Sequence, residues 1–371
     1  MAKFTCPYCY ELHDLSDCNM KCSYQVSGKT DGCIKGITKT NKVYIPDKEK
    51  KKCLKCTAAK KEVICKHSQK EIPSVFLEGK SFSIALLGAK ASGKSNYIGV
   101  LINEIRRSMT ETFECSLNLA ASEESKSYYE NYYYKPLFEQ GRIIQGTNKG
   151  IIPPMIFPLR FMNAKGTVKK IAALSFYDTA GENLDNPNDM LIHNRYIPNA
   201  NGIILLLDPL QVPSIRAKLQ GKMKLPDQNT DAIDVLSRII ENIRVVKNIK
   251  GTINTPLAVV FTKIDALEQF DILSENSNLK NESEHLRRGV FVKTDFESVN
   301  LEVQRLLENW LAEDLPMLVK NFKNYAFFGV SALGGIPNGD RVGGDGIKPR
   351  RVLDPLLWLL AENGYIVTAK R

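Results

Sequence analysis

The sequence predicts an α/β fold in which helices cover both faces of a mostly parallel sheet, preceded by a small cysteine-rich domain. Two observations lead to this prediction. After about residue 80, apolar segments of strand length alternate with segments of helical periodicity, which is the pattern of a parallel sheet with crossover helices. Of the nine cysteines, eight lie at or before Cys65 and only Cys115 falls later. We expect one domain at residues 1–72 and a second at 78–371, with insertions at about 111–150 and 271–295.

The composition is that of an ordinary globular protein, since 43% of the 371 residues are hydrophobic and 25% are charged. No apolar run approaches the roughly 20 residues that a membrane helix needs. The first residues contain no apolar stretch typical of a secretory signal. We expect a soluble, cytoplasmic protein without membrane contacts.

Positive charge is concentrated in the first part of the chain. Residues 1–72 contain 15 Lys, no Arg and 8 acidic residues, and so carry +7 of the formal net charge of +10. One interpretation is a solvated lysine-rich surface, and the other is a patch that attracts nucleic acid or an acidic partner non-specifically. The absence of arginine argues against base-specific recognition, because the guanidinium fork that reads guanine edges is missing.

The elements can be assigned in order along the chain. Residues 70–73 are typical of a linker, residues 81–87 of a strand, and residues 94–109 carry apolar side chains at helical spacing. The tyrosine-rich stretch 128–134 predicts an amphipathic helix within an insertion, with the tyrosines packed on one face. Further strands are predicted at residues 155–162, 171–177, 202–207, 257–261 and 326–330, and further helices at 230–246, 299–315 and 352–361.

The segment GAKASGKS, from Gly88 to Ser95, matches the phosphate-loop pattern G-x-x-x-x-G-K-[ST] and lies between a predicted strand and a predicted helix. Glycines let successive backbone N–H groups point into one anion-sized hollow, and the helix adds its positive N-terminal end. We expect Lys94 to reach the β and γ phosphates and Ser95 to bind Mg²⁺. The expected nucleotide contacts in this segment are Gly88, Ala91, Ser92, Gly93, Lys94, Ser95 and Asn96.

Two further motifs follow predicted strands. Asp178 and Gly181 have the D-x-x-G spacing, in which the carboxylate holds magnesium through water and the glycine N–H approaches the γ-phosphate. In the later run TKID, the Asp265 carboxylate can accept two hydrogen bonds from the N1–H and the amine of guanine, a pair that adenine does not offer. The stem of Lys263 can lie flat across the base. These motifs predict a guanine nucleotide.

A last motif, Ser331-Ala332-Leu333, offers a backbone N–H for the guanine O6. The ordered set GAKASGKS, DTAG, TKID and SAL resembles the GTPases of the Ras and translation-factor class, over about residues 80 to 371. The cysteine-rich front, the run DTAGE, Leu207-Asp208-Pro209 and the run RVLDP at residues 351–355 resemble, more narrowly, the bacterial double-GTPase group. The resemblance implies a magnesium-dependent GTP switch, with protein partners in a multi-gene conflict or defence system.

Three positions bear on base choice and catalysis. Thr262 replaces the Asn of the usual Asn-Lys-x-Asp motif, so its hydroxyl would tie the base loop to the phosphate loop with a shorter reach. Glu182 stands where small GTPases usually have the glutamine that orients water, and is either a catalytic carboxylate or an exposed loop acid. Thr147, in a glycine-flanked loop, is the expected switch threonine. No arginine finger is identified, with Arg142 and Arg195 as candidates. The expected catalytic residues are Lys94, Thr147 and Glu182, and the expected magnesium ligands are Ser95, Thr147 and Asp178.

The cysteine-rich front contains two C-x-x-C pairs, at residues 6–9 and 53–56. Thiolates at this spacing grip one tetrahedral zinc ion, and a disulfide framework is disfavoured in a reducing compartment. The pairing is open: Cys33 is an alternative to Cys18 or Cys22, and His13 is interpreted as a surface residue. Eight ligands suffice for two zinc ions in a double zinc-ribbon-like domain: Cys6, Cys9, Cys18, Cys22, Cys53, Cys56, Cys65 and His67.

Three functions remain compatible with the sequence. The first is a GTP-hydrolysing switch with GTP or GDP, Mg²⁺ and two Zn²⁺ ions, in which the zinc-binding domain is a docking module. The second is a scaffold or adaptor whose nucleotide is scarcely hydrolysed, because Glu182 replaces glutamine and no arginine finger is identified. The third is an ATP-using nucleotide hydrolase, which Thr262 permits and Asp265 opposes. The nucleotide that is released from the denatured protein would distinguish the first and third.

Overall fold

The structure, a computed structural model, describes residues 3–14, 18–22, 61–89, 91–118, 122–144, 154–163, 165–178, 195–228, 232–311, 314–344 and 346–369. The chain divides into two compact units, Met1–Ser81 and Phe82–Arg371. Each unit is described below by itself.

Fourteen strands lie in the described residues. They are β1 (Lys3–Thr5), β2 (Leu12–Asp14), β3 (Asn19–Cys22), β4 (Lys61–Ile64), β5 (Glu71–Ile72), β6 (Lys80–Gly88), β7 (Cys115–Leu117), β8 (Met155–Met162), β9 (Val168–Asp178), β10 (Gly202–Leu207), β11 (Leu257–Phe261), β12 (Phe291–Val292), β13 (Tyr325–Gly329) and β14 (Thr368–Ala369).

Ten α-helices accompany them in the same parts of the chain. They are α1 (Val75–Glu78), α2 (Lys94–Glu104, continued by a π-helical segment Ile105–Met109 and a last turn Thr110–Thr112), α3 (Glu123–Tyr129, continued by a π-helical segment Glu130–Glu139), α4 (Pro213–Leu219), α5 (Ala232–Lys247), α6 (Ile264–Gln269), α7 (Glu284–Arg288), α8 (Lys293–Leu311), α9 (Asp314–Val319) and α10 (Asp354–Glu362).

The first unit contains two small antiparallel sheets. β1 and β2 form a hairpin in which Phe4 lies opposite His13, and β3, β4 and β5 form a three-stranded sheet. Phe4, Val63, Ile72 and Phe76 are buried and form its apolar interior. A unit that spans only Met1–Ser81 has room for a small core, and domains of this size commonly need a metal or a cross-link for stability.

The second unit is built on a seven-stranded sheet with the order β13-β11-β10-β6-β9-β8-β7. β6, β10, β11 and β13 are parallel to one another, whereas β8 is antiparallel to both β9 and β7. The prediction of a mostly parallel sheet with helices is therefore confirmed. β7 was not predicted, because its three residues are too few to give a pattern.

The parallel strands β10 and β11 are apolar throughout because both faces of the sheet are covered. Every residue of β10 and of β11 is buried, as expected for parallel strands between helical layers. After β6 the chain builds β7 to β9 on one side of it and then crosses to β10 on the other side. Open α/β sheets bind ligands at the carboxyl ends of the strands where the connections change direction in this way. This rule points to the end of β6.

The tyrosine-rich insertion is helical, and its tyrosines pack as the spacing predicts. Tyr129 and Tyr133 of α3 and its continuation are buried, while Tyr132 is 54% exposed. The Tyr129 hydroxyl donates a hydrogen bond of 3.2 Å to the carbonyl of Gly99 in α2. A Cβ added at Gly99 would lie 2.6 Å from Leu137 Cδ1, so the glycine allows the close approach of the two helices.

One predicted helix is shifted and divided in the structure. A helix was expected at 299–315, but α8 begins at Lys293 and ends at Leu311, and α9 follows from Asp314. The extra residues at the start of α8 are polar except for Phe296, and one apolar side chain gives no period of its own. Asp295, in the first turn, is instead held by a pair of hydrogen bonds from Arg351, a residue far along the chain. Within the part of the chain that the structure describes, no helix combines the length and the apolar content needed to cross a bilayer.

Candidate nucleotide-binding site

The phosphate-loop segment connects β6 to α2, as predicted. The Ser92 N–H donates a hydrogen bond of 3.2 Å to the Ala89 carbonyl, and α2 begins at Lys94 directly after Gly93. Ala91 has φ +62° and Gly93 has φ +86°, so two positions of the loop adopt the left-handed region. Such alternation turns backbone N–H groups toward one side of the loop, where they form an anion-binding concavity.

The residues present fit a bound phosphate group. A Cβ added at Gly88 would lie 2.5 Å from Ser92 Oγ and 3.0 Å from the Leu206 carbonyl oxygen, so the tight turn requires glycine there. The Ser92 hydroxyl is buried and finds no hydrogen-bond partner among the residues that the structure describes. A buried polar group without a partner costs free energy unless a ligand or water satisfies it. The loop is therefore suited to an anion with several oxygen acceptors.

Thr262 joins the phosphate loop to the segment that follows β11. Its buried hydroxyl lies 2.9 Å from the carbonyl oxygen of Ser92 and 3.2 Å from that of Leu207, so its proton is donated to one of them or shared. The Thr262 N–H also donates to the Leu207 carbonyl, at 2.9 Å. The shorter side chain thus reaches the phosphate loop without the longer Asn of the usual motif.

Lys263 is fixed above the phosphate loop by two hydrogen bonds. Its Nζ donates to the Asp208 carboxylate at 2.6 Å and to the Ala91 carbonyl at 3.0 Å. A Cβ added at Gly93 would lie 3.9 Å from Lys263 Cε, so the lysine stem crosses over the loop glycine. Asp208 is itself buried and accepts a hydrogen bond of 2.9 Å from the Leu210 N–H. These two hydrogen bonds hold the aliphatic stem of Lys263 in a fixed position over Gly93.

Asp265, in the first turn of α6, is positioned by the segment after β13. The Ser331 hydroxyl donates to Asp265 Oδ1 at 2.5 Å and accepts a hydrogen bond of 2.9 Å from the Gly334 N–H. Burial raises the pKa of the Asp265 carboxyl, and the hydrogen bond from Ser331 opposes that rise. A carboxylate offers about four acceptor sites, so one hydrogen bond from Ser331 leaves the others for a ligand.

The segment from Ser331 to Arg350 closes on itself beside Asp265. Ser331 and Arg350 exchange backbone hydrogen bonds of 3.0 and 2.8 Å, and the Lys348 N–H donates to the Leu333 carbonyl at 3.0 Å. Arg350 also donates to the Glu268 carboxylate in α6. We call residues 331–350 the closing loop. Its Ala332 is partly buried and follows Ser331 at the carboxyl end of β13.

The expected site residues that the structure describes lie at one edge of the sheet. Gly88 to Asn96, Thr262 to Asp265, and Ser331 with Ala332 follow β6, β11 and β13, whose carboxyl ends share this edge because the strands are parallel. Asp178 is the last residue of β9, and only its backbone is described. Thr147, Gly181 and Glu182 lie outside the described residues.

Asn96 has a role that was not predicted. Its side-chain amide accepts a hydrogen bond of 2.9 Å from the Ile144 N–H and donates one of 3.3 Å to the Ile144 carbonyl. The same segment is tied to the closing loop, since the Ile143 N–H donates to Asp340 and the Val342 N–H donates to Gly141, both at 2.9 Å. Of the two candidate arginine fingers, Arg142 forms an antiparallel backbone β-bridge with Arg341. The other candidate, Arg195, is exposed.

The first unit holds a second cluster of functional side chains, and here one interpretation was wrong. His13 was expected at the surface, but it is buried, and its Nε2 lies 3.1 Å from Cys9 Sγ and 3.7 Å from Cys65 Sγ. His67, the expected ligand, is 55% exposed, and its Nδ1 lies 2.7 Å from Glu11 Oε2. The alternation of β2, in which Leu12 is exposed and His13 buried, is the signal that distinguishes the two.

The other expected zinc ligands are only partly described. Cys18 is buried, and for Cys22 only the backbone is described, at the end of β3. Cys33, Cys53 and Cys56 lie outside the described residues, so the second expected zinc ion stays a prediction. Asp208 was also missed as a functional residue, because its pairing with Lys263 joins the ends of two strands that are 55 residues apart in the chain.

Comparison with known proteins relates most of the chain to one family. A model of the Double-GTPase 2 family matches residues 83–313, which is more than half of the chain. A protein of Mycolicibacterium smegmatis, described as putative ESX-1 scaffolding and assembly protein SaeC, is 26% identical over 328 residues, covering 82% of this chain and 80% of that protein.

Among solved structures, the chain is similar to Methanosarcina barkeri Roco2 RocCORdC bound to GDP, with a TM-score of 0.30 and 12% identity over 76% of this chain and 48% of that one. It is also similar to the Saccharomyces cerevisiae Ski7 GTPase-like domain bound to GTP, with a TM-score of 0.32 and 14% identity over 76% of this chain and 50% of that one. The chain thus spans about half the length of each of these structures.

Proposed function

Since the chain belongs to the Double-GTPase 2 family, we propose that it is a magnesium-dependent GTPase, a switch that binds GTP and hydrolyses it to GDP. The observation that carries this proposal is the joining of the phosphate loop to the base-reading segment. Thr262 bonds to Ser92, and Lys263 bonds to Ala91, so one rigid cradle presents both ends of a nucleotide site.

The phosphate end of the cradle would be formed by the loop from Gly88 to Gly93 and the first turn of α2. Lys94 and Ser95 begin this helix, so Lys94 would contact the β and γ phosphates and Ser95 would bind Mg²⁺. Mg²⁺ between the β and γ phosphates would neutralise charge that develops during transfer. Thr147 and Asp178 are the further magnesium ligands that we propose.

The residues for hydrolysis itself remain proposals from the sequence. Gly181 would donate its N–H to the γ-phosphate, and Glu182 would orient the attacking water in place of the usual glutamine. No arginine of the described residues is assigned to the transition state, so we expect slow turnover that a protein partner accelerates.

The base end supports guanine over adenine. Asp265 is pre-positioned by Ser331, and its remaining acceptor sites suit the paired N1–H and amine donors of guanine. The backbone of Ser331 and Ala332 lies beside it for the guanine O6, and the stem of Lys263 offers an apolar face to the ring. An ATP-using enzyme would leave this carboxylate without its donors, at a cost in binding free energy.

Competition among GTP, ATP and xanthosine triphosphate at fixed magnesium tests this proposal. The wild-type chain should prefer GTP, whereas Asp265→Asn should lose GTP and gain the xanthine nucleotide, because an amide donates to the xanthine oxygen and still accepts from N1–H. Asp271→Asn makes the same chemical change at an exposed position, and should leave the ranking unchanged. A wild-type preference for ATP, or an unchanged ranking in Asp265→Asn, would contradict guanine recognition.

A second candidate is a scaffold whose nucleotide is scarcely hydrolysed, and it has support from the name of the mycobacterial relative, a putative scaffolding and assembly protein. The two functions predict the same bound nucleotide and differ in turnover. Single-turnover hydrolysis of bound GTP by the purified chain distinguishes them, with Glu182→Ala as the comparison. Scarce hydrolysis by the wild-type chain would favour the scaffold. Equal rates in the two proteins would demote Glu182 to a loop residue.

For the first unit we propose a zinc-dependent docking module for a protein partner. Its small core and its cluster of thiols and imidazole support metal binding. Attraction of nucleic acid by its lysines stays a prediction, since most of those lysines lie outside the described residues. A role in conflict or defence systems rests on the sequence resemblance alone.

A further inference from the structure

Four side chains of the first unit converge on one point. The sulfurs of Cys6, Cys9 and Cys65 and a ring nitrogen of His13 all lie within 4.8 Å of one another. Cys9 Sγ and Cys65 Sγ are 3.7 Å apart, and His13 Nε2 is 3.1 Å from the first and 3.7 Å from the second. Cys6, His13 and Cys65 are buried. The cluster thus brings together residues from both ends of the unit.

Two of these three separations match the edges of a tetrahedron around zinc, whereas the 3.1 Å from His13 Nε2 to Cys9 Sγ is shorter than such an edge. Thiolate–zinc bonds of about 2.3 Å at tetrahedral angles place sulfurs about 3.8 Å apart, and a bound imidazole nitrogen about 3.6 Å from each sulfur. Three thiolates with one imidazole suit zinc, which takes four sulfur and nitrogen ligands in its structural sites. Hard cations such as magnesium prefer oxygen, and this donor set offers none.

The two cysteine-bearing turns of the cluster have the same backbone form. The Cys6 N–H donates to Glu11 O at 2.9 Å and the Tyr10 N–H donates to Cys6 O at 2.9 Å. In the second turn, the Cys65 N–H donates to Lys70 O and the Gln69 N–H donates to Cys65 O, both at 3.0 Å. Tyr10 and Gln69, at matching positions, both have positive φ, of 66° and 56°.

Superposing these turns by sequence position sets Ser68 opposite Cys9. The first turn has the order C-P-Y-C and the second C-K-H-S, so a serine stands where a fourth thiolate would complete a pair of knuckles. The Ser68 hydroxyl lies 3.8 Å from Cys6 Sγ, at the rim of the cluster. A hydroxyl is not among the ligands that zinc takes in structural sites. The second knuckle therefore supplies one ligand only.

We infer that His13 takes the fourth position, so that Cys6, Cys9, His13 and Cys65 bind one structural zinc ion. β2 follows the first knuckle and pairs with β1, which turns His13 to the same buried side as Phe4 and brings it to the sulfurs. A ring nitrogen of His67 also lies within 4.8 Å of Cys9 Sγ and of a His13 ring nitrogen, but His67 is 55% exposed and pairs with Glu11. The ion joins the start of the unit to the turn after β4. This inference rests on the metal-binding part of the proposed function.

The test counts zinc by elemental analysis in the full chain, purified under reducing conditions without chelators. Cysteines outside the cluster are able to hold another ion, so each variant is compared with wild type. His13→Ala should lose about one zinc ion per chain, since three ligands leave the tetrahedral site open. His67→Ala, the matched control, should lose none. Cys65→Ser should lose the same ion as His13→Ala.

A rescue variant separates loss of a ligand from misfolding. His13→Ala combined with Ser68→Cys supplies the missing thiolate from the second knuckle and should regain the ion. With cobalt(II) in place of zinc, the sulfur-to-metal charge-transfer absorption of this double variant should exceed that of wild type, because four thiolates replace three. A double variant that fails to regain the ion would overturn the inference.

The remaining outcomes distinguish a wrong ligand set from a wrong proposal of metal binding by the first unit. If His13→Ala keeps the full complement of zinc, or His67→Ala loses an ion, the ligand set is wrong although the unit binds metal. If Cys65→Ser contains as much zinc as wild type, Cys65 is not a ligand and the inference is wrong. If wild type contains no zinc, the metal-binding proposal itself is wrong.

Discussion

Thr262 illustrates how one hydroxyl can replace a longer side chain where the backbone brings two loops close. The motif itself is local, so its position along the sequence was enough to predict that it belongs to the segment that we propose reads the base. The contacts of the next residue, Lys263, could not be predicted from the sequence. Lys263 is held by Asp208, and that partner is apparent only when β10 and β11 lie side by side.

Replacing Thr262 tests the link between the two loops. Thr262→Val removes the hydroxyl and leaves the buried Ser92 carbonyl without this donor, so the free energy of unfolding should fall by about 1–3 kcal/mol. Thr262→Ser keeps the hydroxyl and is the control. Both tryptophans, Trp310 and Trp358, lie in the second unit, so their fluorescence in urea reports its unfolding. Equal stability of the Val and Ser variants would argue against the link.

His13 shows that residue type and spacing alone do not identify a metal ligand. An isolated histidine after a cysteine pair has no periodicity, and the spacing of Cys65 and His67 favoured His67 as the ligand, whereas His13 is the buried imidazole beside the two sulfurs. The deciding fact is the side of the β1–β2 hairpin on which His13 falls. The alternation of exposed Leu12 and buried His13 is too short to predict from the sequence, but the structure shows it directly.

At the scale of elements, the apolar parallel strands were predicted to within a residue or two, because their composition alone decides them. The parallel strands β10 and β11 have the predicted bounds, and so does the antiparallel strand β8. The start of α8 was missed because a distant side chain stabilises it: Arg351 bonds to Asp295. This contact has no counterpart in local sequence.

The closing loop offers a test at this scale. Gly334 has φ +83°, and a Cβ there would lie 2.2 Å from the Lys348 carbonyl oxygen. Gly339 has φ +64° but no atom within 4 Å of an added Cβ, so it isolates the conformational cost. We expect Gly339→Ala to lose about 1–2 kcal/mol and Gly334→Ala about 1–3 kcal/mol more.

Because Ser331 in the same loop holds Asp265, Gly334→Ala should also weaken GTP binding, and Gly339→Ala should not. Urea unfolding and titration with a fluorescent GTP analogue measure the two effects. If the two variants bind the analogue equally, the closing loop does not position the base-reading carboxylate.

At the scale of the whole molecule, the chain returns late to complete the second unit. β14 pairs in parallel with β12, Tyr365 contacts the rings of Phe82 and Phe161 with centroid distances of 5.3 and 5.8 Å, and Ile366 is buried. This contribution was not predicted, since the segment after α10 is short and has no apolar period.

Shortening the chain measures that contribution. Ending it after Asn363 removes Tyr365, Ile366 and β14, and should lower the free energy of unfolding of the second unit by about 3 kcal/mol or more. Ending it after Ala369 removes only two residues beyond β14 and should leave stability unchanged. Urea unfolding followed by tryptophan fluorescence again measures the free energy of unfolding of the second unit. Equal stability of the two shortened chains would show that the strand adds nothing.

The cluster of Cys6, Cys9, His13 and Cys65 has a consequence for the chain between its two ends. An ion bound there closes a loop of about 60 residues, and the chain-entropy relation for cross-links gives about 4 kcal/mol for fixing a loop of that length. A covalent bridge keeps this contribution under all non-reducing conditions, but a coordinated ion gives it only while free zinc is available. The foldedness of the first unit would thus follow the zinc supply, lost in chelator and restored when the ion returns.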